Sequence, residues 1–238
     1  MVIFISFTTL ISYGVMPRRS RKNNGELRLF LAVYPPESVV RWLLEKLRTL
    51  DGLPPYRETI PEQVHLTLHF IGNVHPRNMD HLIETIDRAK KGMYQFTVEV
   101  ERLISYPKCP PQLNNHPPTT RTRSPSLPRL LVAELNQPNF LSELHHRLVQ
   151  RLAKNPRPRS ADRYSPHLTL ARFRHFHPAE YPIEHCAWAR GGIDIQDLIY
   201  NNTLSFRVSQ FSLMKSTLLR KGVIHERLAD WPLIDKKS

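Results

Sequence analysis

Cysteine is almost absent from this chain: 238 residues contain 2, Cys109 and Cys186. They stand in no metal or thiol-redox spacing, so neither a disulfide framework nor a cysteine-built centre organises the fold. Nothing in the cysteine usage asks for an oxidising compartment, and a cytoplasmic address is the expectation. Apolar runs are short as well. The leading run, MVIFISFTTLISYGV at residues 1–15, falls short of the ~20 residues that cross a bilayer. It also lacks the basic start and small-residue cleavage site of a signal peptide. The basic stretch MPRRSRKNNG follows, and Met16 reads as the more natural beginning. Residues 1–24 are therefore expected to be a disordered or mis-started extension, and the folded domain to span 25–238. Acidic residues are the third scarcity: 21 Asp and Glu stand against 34 Lys and Arg, a net charge of +13. Such an excess selects polyanionic partners, nucleic acid first and an anionic membrane surface second.

What is present has a rhythm. LRLFLAVY reads as a buried strand, and the following ESVVRWLLEKLRTL places Val39, Val40, Leu43, Leu44, Leu47 and Leu50 on one helical face. VHLTLHFIG is a strand. NMDHLIETIDRAKKG sets Met79, Leu82, Ile83 and Ile86 at helical spacing and closes on Gly92. YQFTVEVERLI alternates as a strand. The second half repeats the order: RLLVAEL is a strand, PNFLSELHHRLVQRLAK a helix carrying Leu141, Leu144, Leu148 and Leu152, and SPHLTLARF a strand. Residues 178–200 carry no clear pattern beyond some helix, and LSFRVSQFSLMKSTL and GVIHERLADW read as two closing strands. Between the halves SYPKCPPQLNNHPPTTRTRSPSLP is dense in Pro, Ser, Thr and Asn, which predicts a long mobile loop over 106–128 with solvated Lys108, Arg121 and Arg123. The expectation is an α+β protein with two pseudo-symmetric lobes, about 25–105 and 129–238, each an antiparallel sheet with outer helices around a central cleft.

Within that repeat sits a tetrapeptide repeat, HLTL at 65 and again at 167. Of the 12 His, only His65 and His167 have Thr two places on. On a strand, residues two apart share a face. His and Thr then face one way and the leucines supply the core on the other. By the same alternation His69 joins the face of His65 and Thr67, with Ala171 in its place in the second half, and Arg172 points away from His167. Two imidazoles across a cleft form an acid–base pair near neutral pH without any metal. Thr67 and Thr169 offer hydroxyl donors suited to phosphate oxygens. The pattern fits displacement at phosphorus, where positioning and charge stabilisation do most of the work.

These features resemble the 2H phosphoesterase superfamily. EQVHLTLHFIGNV, YSPHLTLARF, the opening LRLFLAVYPP and the closing FSLMKSTLLRKGVIHERLADWPL look like the bacterial and archaeal RNA 2',3'-cyclic phosphodiesterases, also called 2'-5' RNA ligases. The resemblance runs over roughly residues 27–234. It implies antiparallel sheets facing a central cleft with helices outside. It implies hydrolysis of an RNA 2',3'-cyclic phosphate end to a 2'-phosphate, with His65 as proton donor and His167 as proton acceptor. Thr67 and Thr169 would hold the phosphate, and Arg172, weaker as a candidate, would add charge. The residues alone support either assignment of acid and base. Three features depart from the pattern: the long Pro-rich loop, the apolar N-terminus, and Arg57-Glu58-Thr59-Ile60 where the family often carries a Trp-containing stretch.

The same site run backwards on a 5'-hydroxyl would join RNA ends through a 2'-5' linkage. A non-catalytic RNA-binding module would use the positive charge equally well, but would not need two matched imidazoles. No cofactor is expected, and the partner is RNA with a cyclic phosphate end, bound by a monomer. His175, His177, His185 and Cys186 cluster in sequence without matching a zinc spacing, so no metal is expected. His145 and His146 are expected to face solvent on their helix.

Overall fold

In the computed structural model the described residues are 25–107, 127–152, 164–176, 186–199, 203–220 and 222–235. The extension 1–24, most of the 106–128 loop, His177 and His185 lie outside them. The element order is β1 (Leu27–Val33), α1 (Glu37–Arg48), β2 (Tyr56–Glu58), β3 (Leu66–Val74), α2 (Met79–Lys90), β4 (Phe96–Tyr106), β5 (Leu130–Leu135), α3 (Asn139–Leu152), β6 (His167–Phe173), α4 (Ala187–Arg190), β7 (Ile193–Asp194), β8 (Ser205–Val208), β9 (Gln210–Leu219) and β10 (Gly222–Pro232). The three long helices form where the apolar periodicity placed them. They bury Val39, Val40, Leu43, Leu44 and Leu47, then Leu82, Ile86 and Ala89, then Leu141, Leu144 and Leu148. Gly92 follows α2 with φ of 75°, the left-handed conformation that glycine adopts without a Cβ penalty. None of the described helices is long and apolar enough to cross a membrane.

The fold is α+β. The strands run β10-β9-β1-β3-β6-β5-β4-β7, with β2 on β6 and β8 on β4, and the paired strands are antiparallel. Two half-sheets meet at the centre through one registered pair, Leu66 opposite Leu168. The half-sheets cut across the sequence halves. β4 leaves the first half to pair with β5 and β8, and β9 returns from the end of the chain to pair with β1. The lobe boundaries expected at 25–105 and 129–238 therefore do not separate the sheets. One continuous core runs from Leu29 and Val40 to Leu148, Leu170 and Phe211. The chain crosses between half-sheets at Ser209, which splits the expected strand 204–218 into β8 and β9.

The helices cover one face of this sheet: α2 packs on α3, α3 over β3, and α1 reaches β6. On the other face, Phe30, Ala32 and Met214 form a small separate cluster beside Tyr34. That face, which none of the described long helices covers, is where the two HLTL segments present their polar residues.

Leu168 is 0% exposed at the junction of the half-sheets, whereas Leu218 near the end of β9 is 75% exposed. Leu168→Ala should lower unfolding free energy by about 2–5 kcal/mol. Leu218→Ala should change it by less than about 0.5 kcal/mol. Urea unfolding of the two variants checks the contrast.

Candidate active site

The register at Leu66 and Leu168 decides the geometry. In an antiparallel pair, the positions flanking that match place His65 alongside Thr169 and Thr67 alongside His167. The four polar residues of the two motifs thus converge, related by an approximate twofold through the leucine pair. His65 and His167 are each half-buried, while Leu66, Leu68, Leu168 and Leu170 are buried in the core.

Both imidazoles are held in the same way. Nδ1 of His65 lies 2.7 Å from the Gln63 carbonyl oxygen, and Nδ1 of His167 lies 2.8 Å from that of Ser165. A carbonyl only accepts, so each Nδ1 carries the proton and donates. This fixes the tautomer and leaves Nε2 as the nitrogen that exchanges protons with a ligand. Gln63 is itself tied to β10, its side-chain amide donating to the Val223 carbonyl. Ser165 is tied through its hydroxyl to the Tyr106 phenol.

The second leucine of each HLTL is a β-bulge. Along β3 the register steps from Thr67 opposite Ala32 to His69 opposite Leu31, leaving Leu68 unpaired. Along β6 it steps from Thr169 opposite Val132 to Ala171 opposite Leu131, leaving Leu170 unpaired. An extra residue reverses the alternation beyond it, so two expectations fail for one reason. His69 does not share the face of His65. It lies on the helix side, within electrostatic reach of His145 on α3. Arg172 does not point away from the cleft, because it interacts electrostatically with both His65 and His225. Phe70, the counterpart of Arg172 in the first motif, is likewise turned to the cleft, 6.1 Å from Phe30 between ring centroids and 69% exposed.

The two histidines then differ in surroundings. Around His65 stand Phe30 (centroids 5.1 Å apart), His225 (5.2 Å) and Tyr34 (5.6 Å). Burial, followed by the charges of His225, His167 and Arg172, outweighs the Gln63 hydrogen bond and pushes the His65 pKa down to about 4. Burial pushes the Tyr34 phenol up to about 12 although Arg227 sits over its ring at 5.5 Å. Around His167 the neighbours are Tyr106, 5.1 Å away between ring centroids, and Glu134, directly opposite it on β5. Glu134 accepts from the Tyr106 hydroxyl at 2.9 Å and from Arg102 Nε at 3.3 Å.

The motif reading named His65, Thr67, His167, Thr169 and Arg172, which the fold brings together. It missed His225, Phe30, Tyr34, Tyr106 and Glu134, which no repeated pattern marks. His145 is not solvent-facing: its ring stacks on Tyr164 with centroids 3.8 Å apart, and burial with His69 and His146 nearby pushes its pKa down to about 4. Tyr164 in turn donates to the Thr67 carbonyl at 3.1 Å. His146 is exposed, as expected, and so is His175. Among the described residues no group of three or more His, Cys, Asp or Glu could hold a metal ion.

The chain is similar to several known proteins. The family model described as LigT like Phosphoesterase matches residues 33–112, a stretch that contains the first motif. The RNA 2',3'-cyclic phosphodiesterase of Archaeoglobus fulgidus is 22% identical over 204 residues, covering 85% of this chain and 98% of that protein. TT0787 of Thermus thermophilus superposes with a TM-score of 0.64 at 22% identity, over 89% of this chain and 100% of that one. E. coli LigT complexed with 3'-AMP superposes with a TM-score of 0.57 at 19% identity, over 87% of this chain and 98% of that one. The chain thus resembles the LigT-like 2H phosphoesterases, and it shares their fold.

The depressed pKa values carry a pH dependence. A histidine with a folded pKa near 4 and an unfolded pKa near 6.5 binds a proton first in the unfolded state. Stability contributed by neutral His65 and His145 is therefore present above pH ~6.5 and is lost as pH falls toward 4. Urea unfolding at pH 7 and pH 5 should show the lower stability at pH 5. His145→Phe, which keeps a ring on Tyr164, should flatten part of that slope.

Proposed function

We propose that the chain is a two-histidine phosphoesterase that opens RNA 2',3'-cyclic phosphate ends to 2'-phosphates, working as a monomer and without a metal. The observation that supports this most is the mutual placement of the two HLTL motifs. Two imidazoles with matched tautomers and two threonine hydroxyls converge around one leucine pair. A binding module has no need of two such nitrogens.

In this reading His167 Nε2 takes a proton from the attacking water while the new P–O bond forms. His65 Nε2–H gives its proton to the departing 3' oxygen as the P–O3' bond breaks, leaving the 2'-phosphate. Thr67 and Thr169 donate to the non-bridging oxygens. Arg172, turned inward by the bulge at Leu170, adds positive charge over the same phosphate. The acid role asks His65 to carry a proton that its surroundings disfavour in the free protein. The negative charge of the bound phosphodiester opposes those surroundings and raises its proton affinity. The proton on His65 thus arrives together with substrate. The net charge of +13 serves the approach of the RNA strand. Reversal on a 5'-hydroxyl would form a 2'-5' linkage through the same groups.

Incubation of a short RNA ending in a 2',3'-cyclic phosphate, with EDTA present, should yield a 2'-phosphate end. His65→Ala and His167→Ala should each lower turnover by about 10²- to 10⁴-fold while RNA affinity stays within a few fold. Unchanged turnover in either variant, or no turnover by folded wild type, would overturn the reading in favour of an RNA-binding module. Arg172→Gln should lower kcat/KM about tenfold or more through loss of a charged phosphate contact. Steady-state kinetics on the same RNA measures it.

A further inference from the structure

His225 lies on β10, beside the site and outside both motifs. Its ring is 4.9 Å from Phe30 and 5.2 Å from His65 between centroids, edge-on to each. Arg172 from β6 is within electrostatic reach. Arg227, two residues on along β10, lies over Tyr34 on the same side of the sheet. Groups from β1, β3 and β6 therefore surround this ring, and none of those named is a carboxylate. Its Nδ1 is buried and has no hydrogen-bond partner among the described residues.

That orphan nitrogen constrains the proton. A buried N–H without an acceptor is the rarer and costlier arrangement, while a buried lone pair is better tolerated. Nδ1 is thus the bare nitrogen, and Nε2 carries the hydrogen. His65 and His167 have the opposite tautomer, with Nδ1–H spent on a backbone carbonyl. The ring of His225 is half-buried, so the nitrogen left to meet a ligand is Nε2.

We propose that His225 is a third histidine of the site, a neutral Nε2–H donor to a phosphate oxygen at the His65 end of the cleft. Burial and Arg172 both lower its pKa, which keeps it neutral beside His65. A neutral donor there binds an oxyanion without adding a positive charge to those of Arg172 and of His65 once it is protonated. The inference rests on the phosphoesterase reading for its substrate but not for its ligand class, which is a phosphate oxyanion.

Two replacements separate donation from packing. His225→Phe keeps a ring against Phe30 and His65 and removes the donor. His225→Gln loses the ring and restores an N–H at the reach of Nε2. The measurements are kcat/KM on RNA with a 2',3'-cyclic phosphate end and the Kd of inorganic phosphate by calorimetry, on variants shown to be folded by their Tm. The Phe variant should lose about 10- to 100-fold in both quantities, as loss of a hydrogen bond to a charged group requires. The Gln variant should recover most of the loss. A Phe variant equal to wild type with a defective Gln variant would make His225 a packing residue and overturn the proposal. If wild type does not turn over RNA, the phosphoesterase reading fails, and the phosphate affinities still decide the role of His225. Absence of phosphate binding by wild type would overturn both. Long-range proton–nitrogen NMR correlations should show the Nε2–H tautomer for the ring signal that His225→Gln removes, and an Nδ1–H tautomer would sink the proposal.

Discussion

The pairing of Leu66 with Leu168 is the constraint on which the rest depends. It joins the two half-sheets at a single register position, with both side chains buried in the shared core. A slip by one residue would turn every side chain of one motif to the other face. His65 would then meet leucine instead of Thr169, and the cleft would lose half its polar groups. Register and chemistry are therefore set by one interaction. The bulges at Leu68 and Leu170, two residues further along each strand, extend the same symmetry. Each keeps a second leucine in the core while turning the residue two places further on, Phe70 or Arg172, back to the cleft.

The approximate twofold arranges the backbone, yet the side chains it brings together are unequal. His65 is enclosed by aromatic rings, a second histidine and Arg172, and burial together with the nearby Arg172 charge disfavours a proton on it. His167 stands across from a carboxylate that is anchored by a phenol and a guanidinium. Two identical imidazoles in identical tautomers thus stand in different surroundings, which is what the proposed acid–base pair needs. In the proposed mechanism the inequality also makes the anion a participant. Negative charge on the phosphate opposes the repulsion that His65 meets in the free protein.

Much of this was legible in the sequence, for reasons that can be stated residue by residue. The helices showed because Val39 to Leu47 and Leu141 to Leu148 keep helical spacing. The four motif residues showed because they repeat. Arg172 and His69 were placed on the wrong faces because period-two alternation assumes an unbroken ladder, and the bulge is set by how the partner strand packs. The exchange of β4 and β9 between half-sheets had no mark in the sequence because a strand's own residues specify a buried face and leave its neighbour unspecified. His225 lacked any sequence mark. One histidine on an alternating strand carries no signal until β10 is seen to pass beside β3's motif end.

That exchange explains why the site has two characters. Neither sequence half supplies all the groups around its own histidine. β10, arriving from the end of the chain, brings His225 to His65, and its Val223 carbonyl steadies Gln63, whose backbone orients the His65 ring. β4, arriving from the first half, brings Tyr106 to His167 and, with Arg102, holds Glu134 and Ser165 in place. The imported strands are also where the repeat in the sequence breaks down, so they are free to differ without disturbing the HLTL pair. The symmetric part of the protein fixes distance and tautomer, and the exchanged strands bring different neighbours to each ring. A substitution on β4 or β10 can therefore retune one histidine while leaving the Leu66–Leu168 register, and with it the other histidine, where it is.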